Sequence, residues 1–163
     1  MTPGTLVLLH SPFTSAAAWG SLPDLLRSSG KKVLVPQIEG GDRPPYAGRY
    51  VAQAALQIAE CAPAHPLVLV AHGAAGPLLP AIAAAQRAAH RRVAGYLFID
   101  AELPAAGAQD WPDAPCGYLH TSSEHDREAR QARLRDWPVV ARGPGDPGAE
   151  GTAEAVRELI AVM

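Results

Sequence analysis

Three titratable side chains close apolar runs along this chain. His10 ends TLVLLH (5–10), His72 ends LVLVAH (67–72) and Asp100 ends AGYLFID (94–100). Histidine changes charge near neutrality and can take or give a proton, and a carboxylate can partner it, so His10, His72 and Asp100 are the candidate catalytic residues. Each also has a structural reading: the histidines could bond nearby loop backbone, and Asp100 could cap the loop that follows it. Adjacent residues supply what a bound small molecule needs. Ser11 and Thr14 carry hydroxyls, Phe13 an apolar ring, Gly73 open space, Ala74 a backbone N–H and Glu102 a second carboxylate. These are the candidate substrate-binding residues. Zinc accepts histidine and carboxylate ligands, yet His10, His72 and Asp100 show no metal-binding spacing. Neither a metal nor an organic cofactor is expected.

Chemistry at the ends of runs needs a frame that gathers those ends. Short Val/Leu/Ile runs at 5–10, 31–36, 67–72, 94–100, 116–121 and 138–142 read as strands. Their continuous apolar character suits a parallel sheet buried on both faces. Segments of helical length lie between and after them, at 15–29, 46–61, 76–90, 124–136 and 151–162. Regular alternation predicts an α/β fold, a doubly wound, mostly parallel six-stranded sheet flanked by helices. With strand order 2-1-3-4-5-6, ligands would bind beyond the carboxyl ends of strands one and three, where the order reverses. His10 to Thr14 and His72 to Ala75 leave those ends. The fourth strand delivers Asp100 and Glu102 beside them, and the fifth His120 to Asp126.

Finer expectations follow from local signals. Pro77 sits in a first helical turn, where its missing N–H is not needed. Thr152 reads as the N-cap of the last helix. EHDREARQARLRD (124–136) reads as an outer helix with only Ala129, Ala132 and Leu134 to bury. Cys116 begins its strand and so belongs at the end opposite the site. With Cys61 it reads as a core thiol, not a disulfide partner. Trp19 and Tyr96 read as core, and Tyr46 and Trp111 as residues of two Gly/Pro-rich loops, 36–46 and 101–115, that would border the site.

A chain of 163 residues that is 48% hydrophobic is long enough for one core, so a single domain over 1–163 is expected. Its net charge of -2, without a basic run interleaved with aromatics, argues against a nucleic-acid partner. The apolar run near the N-terminus is too short for a signal peptide or membrane span. The expected location is the cytoplasm, and no membrane partner is expected. Lys31 and Lys32 are the only lysines among 14 basic residues. That bias fits GC-rich bacterial coding.

Several segments together resemble the α/β-hydrolase fold, especially small bacterial members without a lid. LVLLHSPFTSAAAWGSLPDLLRSSGKKVLVPQIEG is similar to that fold's opening strand, oxyanion loop, Trp-bearing helix and next strand. PLVLVAHGAAGPLLPAIA is similar to its nucleophile elbow, normally G-x-S-x-G, and VAGYLFIDAELP to the strand after it. The resemblance implies a crevice above the elbow, but the catalytic pattern departs from the family's. Gly73 stands at the serine position and Ala71 at the first motif glycine. No histidine occurs after His125, and the terminal loop reads ARGPGDPGAEG (141–151). Pro12 falls at or beside one oxyanion donor and has no N–H, so Phe13 or Thr14 would have to replace it, while Ala74 keeps the other. A serine hydrolase is therefore not expected. Two readings stand. One is a cofactor-independent, non-hydrolytic enzyme (cyclase, isomerase, dehydratase or lyase type) acting on a small hydrophobic metabolite, with a place in natural-product biosynthesis. The other is an inactive pseudohydrolase that binds a small ligand or a partner protein, with a homodimer open.

Overall fold

The structure, a computed structural model, describes residues 2–39, 46–105, 111–143 and 148–163. Six strands form one sheet: β1 (Thr5–Leu9), β2 (Val33–Leu34), β3 (Leu67–Gly73), β4 (Val93–Ala101), β5 (Cys116–His120) and β6 (Val139–Ala141). Their order is β2-β1-β3-β4-β5-β6, and every pairing is parallel. Both the fold class and the strand order match the expectation from sequence.

The continuous apolar runs are explained by helices on both faces. Leu6 and Leu8 of β1 pack with Leu22 and Leu26 of α1 (Leu22–Ser28) and with Val156 and Leu159 of α5 (Gly148–Val162). Val7 and Leu9 face the opposite layer, with Tyr50 and Ile58 of α2 (Tyr46–Cys61) and Ile82 of α3 (Leu79–Ala88). That layer also takes Ala129 and Ala132 of α4 (Asp126–Leu134). Each fully buried leucine contributes roughly 1.5–3 kcal/mol. No helix among the described residues is long and apolar enough to cross a membrane.

Four local expectations are corrected. β2 is much shorter than 31–36, since Pro36 cannot donate to a ladder and the strand lies at the sheet edge. The last helix starts at Gly148, which puts Thr152 one turn inside it, where its hydroxyl donates to Gly148 O at 3.0 Å. Leu134 is 80% exposed, because α4 anchors itself through its two alanines. Cys61 is exposed at the end of α2, whereas Cys116 is buried and its thiol is pushed up to about 12 by burial. The loop segments 40–45 and 106–110, and the Tyr46 side chain, lie outside the described residues.

Candidate functional site

β3 ends at Gly73, whose φ is +58°, a left-handed conformation that glycine adopts without a Cβ penalty. From there the chain enters the 3-10 turn Gly76–Leu78, with Pro77 in its first turn, and then α3. The elbow is held from above by the chain leaving β4. Glu102 N donates to Gly73 O at 3.0 Å, and a Cβ on Gly76 would lie 1.8 Å from Glu102 O. Glu102 thus clamps the elbow through its backbone, while the residue as a whole is exposed.

The space a side chain at position 73 would enter is bounded by Ser11. A Cβ built on Gly73 lies 3.3 Å from Ser11 Cβ and 3.6 Å from Ser11 Oγ. Ser11 also organises the first loop. Its carbonyl accepts from His10 Nδ1 (2.8 Å), Thr14 N (3.0 Å) and Thr14 Oγ1 (3.1 Å), and its hydroxyl accepts from Phe13 N at 3.4 Å. The N–H groups that would replace the donor lost at Pro12 are therefore turned onto Ser11. Ala74 N donates to no acceptor among the described residues and remains open to a ligand.

The two histidines part company. His10 is fully buried, edge-on to Tyr50 with ring centroids 6.0 Å apart, and its carbonyl accepts the Tyr50 hydroxyl. Burial holds that phenol well above its ordinary pKa. His72 instead lines a cavity of about 170 Å³ with Asp100, Trp19, Thr121 and Thr152, and His10 is not part of its wall. The cavity opens among the carboxyl ends of β3, β4 and β5, the start of α5 and the segment around α1. His72 meets Trp19 edge to face at 5.8 Å. Burial pushes the His72 pKa below the usual imidazole value; the Asp100 carboxylate opposes that shift and His125 reinforces it. At neutral pH the ring is therefore a neutral base.

Asp100 reaches the same cavity by an irregularity in the sheet. His72 pairs with Ile99 and Gly73 with Ala101, so Asp100 is the extra residue of a β-bulge, at φ +41°. Its carboxylate accepts from Thr121 N (2.8 Å), Thr121 Oγ1 and Ser122 N (3.3 Å). These bonds tie the turn after β5 to the end of β4. Asp100 thus caps a loop, as one of its two readings had it, and it also stands in the cavity wall with His72.

Of the remaining candidates, Phe13 is 73% exposed and Thr14 is exposed on the loop after β1. Sequence reasoning placed Thr121 only within the span His120 to Asp126, missed Thr152 as a wall residue and gave Trp19 only a core role. Thr121 closes the run 116–121 just as His10 and His72 close theirs, and that signal could have singled it out. Trp111 is corrected: it packs tilted on Tyr96 at 5.4 Å and edge-on to Trp137 at 6.0 Å, in an aromatic cluster with Phe98, and does not line the cavity. Its placement just before β5 puts it toward the amino end of the sheet. Among the described residues no cluster of three or more His, Cys, Asp or Glu could hold a metal.

No protein-family model and no curated protein matches this sequence. Solved structures do match in shape. An extracellular α/β-hydrolase from a Paenibacillus species, homologous in structure and function to tobacco salicylic acid binding protein 2, superposes with a TM-score of 0.71 at 13% identity, covering 96% of this chain and 99% of that one. The NocB thioesterase domain, in covalent complex with a fluorophosphonate nocardicin G analogue, gives 0.69 at 17% identity over 98% of this chain and 95% of its own. A histidine-to-alanine variant of tomato methylketone synthase I, bound to β-ketoheptanoate, gives 0.65 at 12% identity over 99% and 96%. The chain has the α/β-hydrolase fold.

Proposed function

We propose that this chain is an α/β-hydrolase-like enzyme that does not hydrolyse. It uses acid–base and template chemistry of the cyclase, isomerase, dehydratase or lyase type on a small hydrophobic metabolite. The observation that carries the reading is the meeting of His72, neutral through burial, with Asp100 in the wall of one cavity beneath an elbow without a nucleophile. His72 is the base, and Asp100 its electrostatic partner and the anchor of the neighbouring turn. Trp19, Leu22 and Ile99 supply the apolar part of that wall, and Phe13 and Ala74 do not line it. Proton transfer by a positioned base contributes about 10²–10⁴-fold to rate without any covalent step. That one similar structure is named a synthase fits a fold that hosts chemistry beyond hydrolysis. A bacterial biosynthetic setting, a cytoplasmic location and a small-molecule partner belong to this reading.

A second reading, an inactive ligand-binding or partner-stabilising protein that could act as a homodimer, is favoured by one observation. The Phe13 and Thr14 N–H groups point at Ser11 and not at a ligand. The two readings separate in deuterium oxide. A panel of small apolar ketones, followed by proton NMR, should lose α-protons to solvent faster with the protein than with buffer, and His72→Gln should abolish the difference. If no ketone exchanges above the buffer rate, the enzyme reading fails. A fluorophosphonate serine probe should leave the protein unlabelled; stoichiometric labelling would overturn both readings.

A further inference from the structure

The wall of the cavity has a definite hydrogen-bonding character. Its two hydroxyl groups have committed their hydrogens inside the protein: Thr121 Oγ1 donates to Asp100 Oδ2, and Thr152 Oγ1 donates to Gly148 O at 3.0 Å. A hydroxyl has one hydrogen to give and two lone pairs to receive with, so each threonine can only accept from a guest. The carboxylate of Asp100 already receives three bonds. Two donors stand on the same wall, the Trp19 indole N–H, which has no partner, and one nitrogen of the neutral His72 ring. Among the described residues no Lys or Arg lines it. The amino end of α5, where Ala149 stands, brings about half a positive charge, which the full charge of Asp100 outweighs. Trp19, Leu22 and Ile99 make the rest apolar. A cavity of about 150 Å³ holds a benzene ring, so this one, at about 170 Å³, admits a single ring with a short substituent.

We propose that the cavity takes a small, uncharged, apolar molecule through a hydroxyl group, which donates to a threonine oxygen of the wall and accepts from Trp19 or His72. The inference rests on the reading of this cavity as the site and names the class of molecule that enters it. A wall that offers both acceptors and donors is matched by a group that does both, and a hydroxyl does. An ether or a ketone carbonyl can accept but leaves the threonine lone pairs unmet. An ammonium can donate but leaves Trp19 and His72 without an acceptor. A carboxylate fails twice, since it has no hydrogen to give and it meets the charge of Asp100. Of the two threonines, Thr121 is the stronger acceptor, because its own hydrogen points at an anion and polarises the oxygen. Thr121 and Thr152 are therefore specificity-determining residues, and Asp100 acts on the guest through Thr121 as well as by its charge.

The experiment is an NMR titration of the full chain with benzyl alcohol, benzyl methyl ether, benzylammonium and benzoate, read at the indole N–H of Trp19. Trp111 and Trp137 pack together in the other layer, so their signals should stay in place. Benzyl alcohol should bind about tenfold tighter than the ether or benzylammonium, and benzoate should leave the Trp19 signal unmoved. Equal binding of alcohol and ether, tighter binding of benzylammonium or benzoate, or no movement with any of the four overturns the proposal. Valine keeps the branched shape of threonine and removes the oxygen. Thr121→Val or Thr152→Val should therefore bring the alcohol down to the level of the ether, while Thr121→Ser, which keeps the oxygen, should preserve the preference. A preference that survives both valine variants overturns the role of the threonines. The ranking in the wild type needs no variant, so it stands as a test even if Thr121→Val, which loses a bond to Asp100, fails to fold. Selective binding of the alcohol without ketone exchange would remove the base role of His72 and keep the ligand class. Ketone exchange without that selectivity would keep the base and remove the ligand class.

Discussion

Two adjacent turns at the carboxyl ends of β3 and β4 meet the same backbone problem in opposite ways. Gly73 at φ +58° and Asp100 at φ +41° both leave their strands in the left-handed region. At Gly73 the side chain is absent, the conformation carries little strain, and Ser11 borders the space a side chain would use. At Asp100 a side chain is kept in a conformation costing of order 1–3 kcal/mol, and its bonds to Thr121 and Ser122 offset that cost. The ionisable group thus stands one strand over from the place where the fold's hydrolases keep their nucleophile. The elbow supplies shape and a backbone donor, and the bulge supplies charge.

The contrast can be broken at its hinge. Gly76→Ala should have the largest effect, about 4 kcal/mol or more lost in urea denaturation. A Cβ 1.8 Å from the backbone oxygen of Glu102 cannot be relieved by a side-chain rotation. Asp100→Ala comes next, at about 3 kcal/mol, since it leaves the N–H groups of Thr121 and Ser122 without their charged acceptor. If Asp100→Ala proved as stable as wild type, the bulge would be indifferent to its side chain and the comparison would collapse. Gly73→Ser should cost about 1–3 kcal/mol through φ strain and contact with Ser11, and should not restore reaction with a fluorophosphonate. Adding Ser11→Gly should recover part of the stability, and an unchanged melting temperature in the double variant would exclude the crowding.

The smallest effect is in the pH dependence. The His72 pKa is depressed in the folded state, so the unfolded chain binds this proton first as pH falls. Stability from this group is complete above about pH 6.5 and is lost progressively below it, down to the folded-state pKa. His72→Gln should flatten that part of the stability profile. A slope that survives the substitution would have to come from another group.

Much of the frame was legible because burial on both sheet faces leaves unbroken apolar runs, and order 2-1-3-4-5-6 then sets which run-ends meet. His72 and Asp100 were readable as residues closing such runs. His10 carries the same local signal yet lies in the interior, because what buries it is Tyr50 from α2, forty residues away in sequence. The bulge at Asp100 was not legible at all: it is a property of the register between β3 and β4, and neither strand alone encodes it. Trp19 was readable as buried, but that its ring meets His72 depends on where the segment before α1 docks. Thr152 gave a misleading start signal for α5, because its hydroxyl serves Gly148 O from inside the helix and does not cap it.

The extra residue in β4 also acts as a change of phase. Along a regular strand neighbours point to opposite layers, as Leu97 and Phe98 do. Ile99 and Asp100 instead both line the cavity toward α1 and α5, and Ala101 resumes on the other side. Which helix layer the carboxylate serves is therefore decided by a count of residues as well as by their identity. Substitution at position 100 can change what the group is but not which side it addresses. Removing a single residue from β4 before it would shift the alternation by one step and restore a flat ladder. Asp100 would then take the place of Ile99 opposite His72, still on the side of α1 and α5, but without the left-handed turn that the bulge imposes on it.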